Sequence, residues 1–303
     1  MSESKKYVLS VPNFSEGKDT DKVEQIVEPL RNVEGVKLIS CDPEEDFNRT
    51  VVNVIGEPQP LKEALVKMAE KAYELIDMEE QSGSHPRIGA LDTIPLFPFR
   101  NVEIEEVEQL AEEIGQNIYD RHQVPVFFSG RNARTEERKS LSFIRKGQYE
   151  GLKEVVHQEE RSPDVGPAAL HESAGATIVS ADYEGLTAYN VFLGTEDLSI
   201  AKKIAKGVRG PSGGFSTVKA VGVKFPERDG VVVSMNMFDC TKTPIYRVFR
   251  FVEDEAKRYG VPVTGSEIVG PVKLDHLINS LEYYLGLEGF EREQILETHL
   301  MDD

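Results

Sequence analysis

The chain has 303 residues, with 35 Lys and Arg against 53 Asp and Glu and a formal net charge of −18; that length exceeds the about 100–200 residues of one domain. The acidic balance excludes nucleic acid and anionic lipid as general partners. Two cysteines, Cys41 and Cys240, no apolar window of membrane-spanning length and no long apolar run in the opening MSESKKYVLSVPNF together predict a cytoplasmic protein without membrane or nucleic-acid partners.

In chain order, YVLSVP (7–12) reads as a strand and TDKVEQIVEPLRNV (20–33) as a helix. VKLISC (36–41) and TVVNVIG (50–56) read as strands joined by the turn-rich DPEEDFNR. LKEALVKMAEKAYELIDM (61–78) is the clearest helix, because Leu61, Ala64, Leu65, Met68, Ala72, Leu75 and Ile76 recur at helical spacing and form one apolar stripe. GSHPRIGALDTIPLFPF follows, then an acidic helix, VEIEEVEQLAEEIGQNIYDRH, and the strand VPVFFSG.

The second half repeats this order. LTAYNVFL (186–193) is a strand, and TEDLSIAKKIAKGV (195–208) is a helix with Thr195 as its expected cap. VKAVGVKF and VVVSMNMFD are strands joined by the turn PERDG. PIYRVFRFVEDEAKRYG is a helix with Pro244 near its start and Gly260 at its end, and VPVTGSEIVG is a strand before a last helix near Leu274. Both halves thus read as β-α-β-β-α-β, the split βαβ pattern in which two helices cover one face of a four-stranded sheet. The fold class is α/β (α+β), two βαββαβ-type subdomains whose packed sheets form a ligand tunnel or cleft.

The segment between the halves, RNARTEERKSLSFIRKG (131–147), carries six basic residues against two acidic ones. It reads either as a solvated linker helix or as a docking patch for a small polyanion, with arginine forks suited to carboxylates. No phosphate loop, nucleophile elbow, H-E-x-x-H or C-x-x-C is present, and the six histidines lack metal-ligand spacing. The cysteines read as small buried hydrophobes.

His85 sits in a loop after a strong helix. Pro86 biases it toward extended backbone. Such a histidine serves either as a turn residue or as a proton-transfer group, since its ordinary pKa of about 6.5 lies near neutrality. Polar residues also gather where strands end: Asn13, Asp42, Asn48, Arg49 and Asn190 are each candidate ligand contacts or simple turn and cap residues.

The order of VPNFSEG, DP…NRTVVNVIGEP, LIDM…GSHPRIGALDTIPLFPF, RKGQYEGL, VGPAALHESAGAT and VSMNMFD…PIYRVFRFVEDEAKRYGVPVTGSEIVG resembles the formiminotransferase family from about Val8 to Leu285. The resemblance implies two subdomains, 1–176 and 177–303, with a folate tunnel between them. It implies transfer of a formimino group from N-formimino-L-glutamate to tetrahydrofolate as co-substrate, in histidine degradation, without a metal. His85 of the H-P-R motif would be the catalytic histidine and Asp42 its partner near the site. The folate-contacting segment would be Gly166, Pro167, Ala168, Ala169, Leu170, His171, Glu172, Ser173, Ala174 and Gly175. Arg49, Arg87 and the basic segment would attract the substrates' carboxylates. Ser84 stands where the family usually has an acid, Asp182 where it commonly has an arginine, and Phe192 where it has an asparagine. The alternatives are therefore transfer from another donor, such as N-formylglutamate, or folate binding without catalysis. A homodimer is compatible with such an enzyme, but no element marks an interface.

Overall fold

The computed structural model describes residues 5–225 and 230–300, so the expected turn at 226–229 lies outside the described residues. The chain divides into two compact α+β units, Met1–Tyr183 and Glu184–Asp303. The division falls after Tyr183 rather than between 176 and 177, because the strand Thr177–Ala181 is hydrogen-bonded inside the first sheet.

The first unit runs β1 (Tyr7–Ser10), β2 (Asn13–Phe14), α1 (Thr20–Val27), β3 (Val36–Glu44), β4 (Arg49–Gly56), α2 (Pro58–Leu75), β5 (Leu91–Arg100), α3 (Ile104–His122), β6 (Val126–Gly130), α4 (Leu141–Ile144), α5 (Gln148–Val155) and β7 (Thr177–Ala181). Pro12 has no N–H to give to a ladder, and the first line of the sheet is split there into β1 and β2. Both pieces lie between β4 and β5 and pair antiparallel with each. Across the sheet the order is β3, β4, the β1–β2 line, β5, β7, β6. The expected four-strand unit is present as β3, β4, β1–β2 and β5. The sheet is larger, with seven strands, because α3 returns the chain to β6 and β7 then enters between β5 and β6, parallel to both.

Helices α1, α2 and α3 cover one face. Ile26, Leu65, Met68 and Ile114 pack there with Val52, Val54, Leu91 and Val179 in one core. Leu61, Ala64, Leu65, Met68 and Ala72 of the predicted stripe lie on this buried face, Leu75 is partly buried, and Ile76 follows the end of α2. Glu106 reaches back to the Glu103 amide to cap α3, and Gln123, in left-handed backbone at φ 57°, ends it. Part of the opposite face, formed by Phe127, Ile178 and Ala176, is covered by Ile144 of α4 and Leu152 of α5.

The basic segment is largely exposed but is not an open cationic patch, because five of its six cations are paired. Arg131 pairs with Glu108, Arg134 with Glu112, Arg138 with Asp164, Lys139 with Glu136 and Arg145 with Asp92. Arg138 and Asp164 are both nearly buried, so this segment is packed into its own unit.

The second unit runs β8 (Thr187–Leu193), α6 (Leu198–Val208), β9 (Val218–Lys224), β10 (Val231–Met237), α7 (Ile245–Arg258), β11 (Val263–Val269) and α8 (Leu274–Leu285). Its four strands form an antiparallel sheet ordered β11, β8, β10, β9, the split βαβ arrangement expected. Val191, Val233, Ile204, Val248 and Val252 build its core. Asp197, not Thr195, caps α6, its carboxylate accepting from the Ser199 amide at 2.8 Å. Both cysteines are free thiols, and burial pushes the Cys41 thiol up to about 11. Among the described residues no helix is long and apolar enough to cross a membrane.

Candidate functional site

Strand alternation decides which side chains share a face. Val52 and Val54 point into the helix-covered core, so Arg49, Val51 and Asn53 of β4 point the other way. The ladder sets Glu44 opposite Arg49, Asp42 opposite Val51, and Asn13 opposite both Val51 and Thr93. Asn13, Asp42, Glu44 and Arg49 therefore share the face away from α1–α3. The acidic DPEEDFNR stretch is not all turn, because β3 continues through Glu44 and only 45–48 turn the chain.

That turn positions the H-P-R loop. Asn48 adopts left-handed backbone at φ 49°, which asparagine tolerates better than most residues. Its side-chain oxygen accepts from the Gly17 amide at 3.1 Å and its nitrogen donates to the Ser82 carbonyl at 2.7 Å. Ser84 Oγ donates to the Asp46 carbonyl at 3.1 Å. Laid along the turn in this way, the loop brings His85 Nε2 to 2.8 Å from Arg49 Nη1.

A guanidinium has donors only, so Arg49 donates and the Nε2 lone pair accepts, leaving the imidazole proton on Nδ1. Burial, then the charges of Arg49 and Arg145, lower the His85 pKa to about 3, so the ring is neutral near pH 7. Arg49 also gives Nε to Glu44 Oε2 at 3.0 Å, and its Nη2 contacts the same oxygen. The Phe47 ring lies edge-on to His85, 6.5 Å between centroids, and 5.7 Å from the Arg49 guanidinium carbon.

The residues after His85 are fixed from below. Arg87 is buried and spends all five N–H donors: on Gln81 Oε1, the Gln81 carbonyl, Gln148 Oε1 and both oxygens of Glu150, at 2.6–3.1 Å. The expectation that Arg87 attracts a substrate carboxylate is corrected by this arrangement, which leaves it no donor for a ligand. Asp92, almost fully buried, accepts from the Ile88 amide at 2.7 Å and pairs with Arg145.

The segment 166–175 is docked on the same loop at one end. Gly166, Pro167, Ala168 and Ala169 are exposed and Leu170 is half-buried. His171 Nδ1 accepts from the Ser173 and Ala174 amides, closing a tight turn onto Gly175. Ala90 N donates to the Ala174 carbonyl, and Ala176 N to that of Ile88. Gly89 and Gly175 meet back to back. A Cβ on Gly89 would stand 2.0 Å from the Ala176 carbonyl oxygen, and one on Gly175 2.3 Å from that of Ile88, at a φ of +72°. Ser173 accepts from the Met78 amide, and Tyr149 Oη donates toward the Glu172 carbonyl at 3.4 Å.

The structure thus brings His85, Arg49, Asn48, Arg87 and the His171–Gly175 end of that segment into one loop cluster. Asn13 and Asp42 share the sheet face beside it. Asn13 Nδ2 is turned onto the Val11 carbonyl, and Asp42 accepts from Ser40 Oγ at 2.6 Å. The carboxylate that reaches the His85–Arg49 pair is Glu44, not Asp42. Asn190 belongs to the second unit, where it donates to Glu267 on the neighbouring strand at 2.9 Å. Glu44 has no distinguishing signal among the acids of DPEEDFNR, because the β3–β4 register decides which of them stands opposite Arg49. Asp92 had a signal, an acid inside the apolar run ALDTIPLF. Asp182 follows β7, and burial raises its carboxyl to about 6 against the pull of Arg131. Among the described residues no group of three or more His, Cys, Asp or Glu side chains could hold a metal ion. The cluster suits proton transfer by a neutral imidazole beside a cation that can take a carboxylate.

The N-terminal subdomain of the formiminotransferase domain matches residues 7–182, and the formiminotransferase domain matches 188–299. The chain is 38% identical over 297 residues to the glutamate formimidoyltransferase of Streptococcus pyogenes serotype M1, covering 98% of this chain and 99% of that one. It is 38% identical to that of Thermoplasma acidophilum, with 97% of each covered. The formimidoyltransferase-cyclodeaminase of Sus scrofa is 37% identical over 91% of this chain and 52% of its own length. Matched by both halves of one domain, in order and across nearly all its length, the chain belongs to the formiminotransferase family.

Proposed function

We propose that the protein transfers the formimino group from N-formimino-L-glutamate to N5 of tetrahydrofolate, giving 5-formiminotetrahydrofolate and glutamate. The observation that carries this reading is the neutral imidazole of His85, held 2.8 Å from Arg49 in a chain 38% identical to glutamate formimidoyltransferases. N5 attacks the amidine carbon, the C–N5 bond forms, and His85 takes the proton that N5 gives up. The bond from that carbon to the glutamate nitrogen then breaks, and His85 returns the proton to the leaving amine. Tetrahydrofolate enters as co-substrate, with the Gly166–Gly175 segment as its contact. The reaction is a step of histidine degradation and takes place in the cytoplasm.

The test is a side-by-side assay with N-formimino-L-glutamate and N-formyl-L-glutamate as donors, for wild type and His85→Ala. Turnover of the formimino donor is expected, with kcat lowered about 10²–10⁴-fold in His85→Ala. Turnover of the formyl donor alone overturns the donor assignment. Folate binding without turnover of either donor overturns the enzyme reading, and wild-type turnover by the variant removes His85 from the mechanism.

A further inference from the structure

Two arginines flank the H-P-R loop, and they are held in opposite ways. Arg87 is 7% exposed and has all five N–H groups occupied inside its own unit. Arg49 is 21% exposed and uses three N–H groups, two on Glu44 and one on His85, which leaves two. Its main anchor, Glu44, is itself 39% exposed, so the clasp lies at the accessible side of the sheet. The N–H given to His85 occupies the lone pair that a general base needs.

We infer that Arg49 is a positioning residue that caps His85 in the substrate-free protein and is drawn off Nε2 by the α-carboxylate of the donor. The inference rests on the reading of His85 as the base. The chemistry selects this carboxylate. In N-formiminoglutamate the nitrogen that His85 must protonate is two bonds from the α-carboxylate carbon. A donor placed with that nitrogen at His85 therefore sets its α-carboxylate beside the neighbouring cation. The carboxylate has two oxygens to match a guanidinium fork, and it meets a cation with two donors unspent. When Nη1–H turns to the carboxylate, the Nε2 lone pair is released. The guanidinium charge near the ring is then offset by the ligand's negative charge, which makes the ring more basic. The charged groups facing His85 are Arg49 from β4, Glu44 of β3 behind it, and Arg145 held by Asp92. Only Arg49 among the cations is shared with the ring by a hydrogen bond. Donor binding and activation of the base are thereby one event, and the base stays capped when no donor is present.

The experiment follows the titration of His85 by NMR in the full chain labelled with ¹⁵N-histidine, its signals identified by their loss in His85→Gln. The probes are N-acetyl-L-glutamate, which keeps the α-carboxylate and has no α-ammonium to oppose a proton on the ring, and N-acetyl-L-isoglutamine, in which that carboxylate is an amide. Saturating N-acetyl-L-glutamate is expected to raise the His85 midpoint by at least about one pH unit, and N-acetyl-L-isoglutamine to leave it in place. In Arg49→Lys one ammonium cannot reproduce a fork that serves both Glu44 and His85. Its midpoint is expected to be raised already without ligand and to move little with it, and KM for the donor to rise at least about tenfold. Binding of N-acetyl-L-glutamate with an unmoved midpoint, or an equal shift with N-acetyl-L-isoglutamine, overturns the inference, and so does absence of binding at concentrations where N-formimino-L-glutamate saturates turnover. The contrast between the two probes in the wild type decides the matter even if Arg49→Lys does not fold. Turnover of His85→Ala judges the base assignment separately: lost turnover with an unmoved midpoint rejects only the capping role of Arg49, whereas wild-type turnover rejects the base and the inference that rests on it.

Discussion

Acid should weaken this protein through His85 in a way that a single substitution removes. The folded ring titrates at about 3, because burial and the charges of Arg49 and Arg145 oppose a proton there. In the unfolded chain it titrates at about 6.5. Above the unfolded value neither state carries the proton, and the full stability is present. As pH falls from about 6.5 toward about 3, the unfolded chain takes up a proton that the folded protein refuses, and stability is lost at about 1.4 kcal/mol per pH unit. At about pH 5 the loss from this one group reaches about 2 kcal/mol. His85→Gln keeps a polar side chain able to accept from Arg49, and it does not titrate. Urea unfolding at about pH 7, 6 and 5, followed by far-ultraviolet circular dichroism because the chain has no tryptophan, gives the comparison. His122, whose pKa burial also lowers, and the carboxylates titrate in both proteins and cancel in the difference. The wild type should lose about 2 kcal/mol more than His85→Gln between about pH 7 and about pH 5. Parallel loss in the two proteins would refute the placement of a neutral, capped imidazole in this loop.

Two further outcomes concern the support beneath the site. Gly89→Ala puts a methyl group 2.0 Å from one backbone oxygen and 2.8 Å from another, so it should destabilise the first unit by about 1–3 kcal/mol and depress turnover. A variant with wild-type unfolding would show that the two loops are not in contact there. Asp92→Asn leaves Arg145 without its charge partner in a site where Asp92 is 3% exposed. A loss of about 3–5 kcal/mol is expected in urea unfolding, whereas Glu74→Gln, which breaks the exposed Lys71 pair, should change stability by less than about 0.5 kcal/mol.

The second unit was legible in the sequence nearly strand for strand, because its elements are short and amphipathic and local periodicity is enough to place them, although the order of its sheet, with β8 between β10 and β11, is a non-local choice. The first unit was legible element by element through β6, but β7 and the place it takes in the sheet were not. Nothing in the pattern of VPVFFSG or GATIVSA says that one enters the sheet inside the other, since parallel pairing is a non-local choice. The candidate site divides in the same manner. The H-P-R loop and Arg49 could be picked out as residue types in suggestive settings. The role of Glu44 depends on register across the β3–β4 hairpin, which sets it rather than Asp42 opposite Arg49. Arg87 is the opposite case: a cation two residues from His85 reads as a substrate ligand, yet its donors are consumed by Gln81, Gln148 and Glu150, up to 63 positions away. Sequence displays charge, but not which charges are already satisfied.

The position of β7 has a consequence for how this unit can be made. It is the last strand of the unit in the chain, yet it sits between two strands synthesised much earlier. Until residue 181 is available, β5 and β6 lack the strand that each pairs with along this edge, and their ladder edges are open to other chains. The unit therefore closes late and over long sequence separations, a topology associated with slow folding. A chain ended at residue 176 would stop one strand short of that closure, exposing the same edges that the complete unit seals from within.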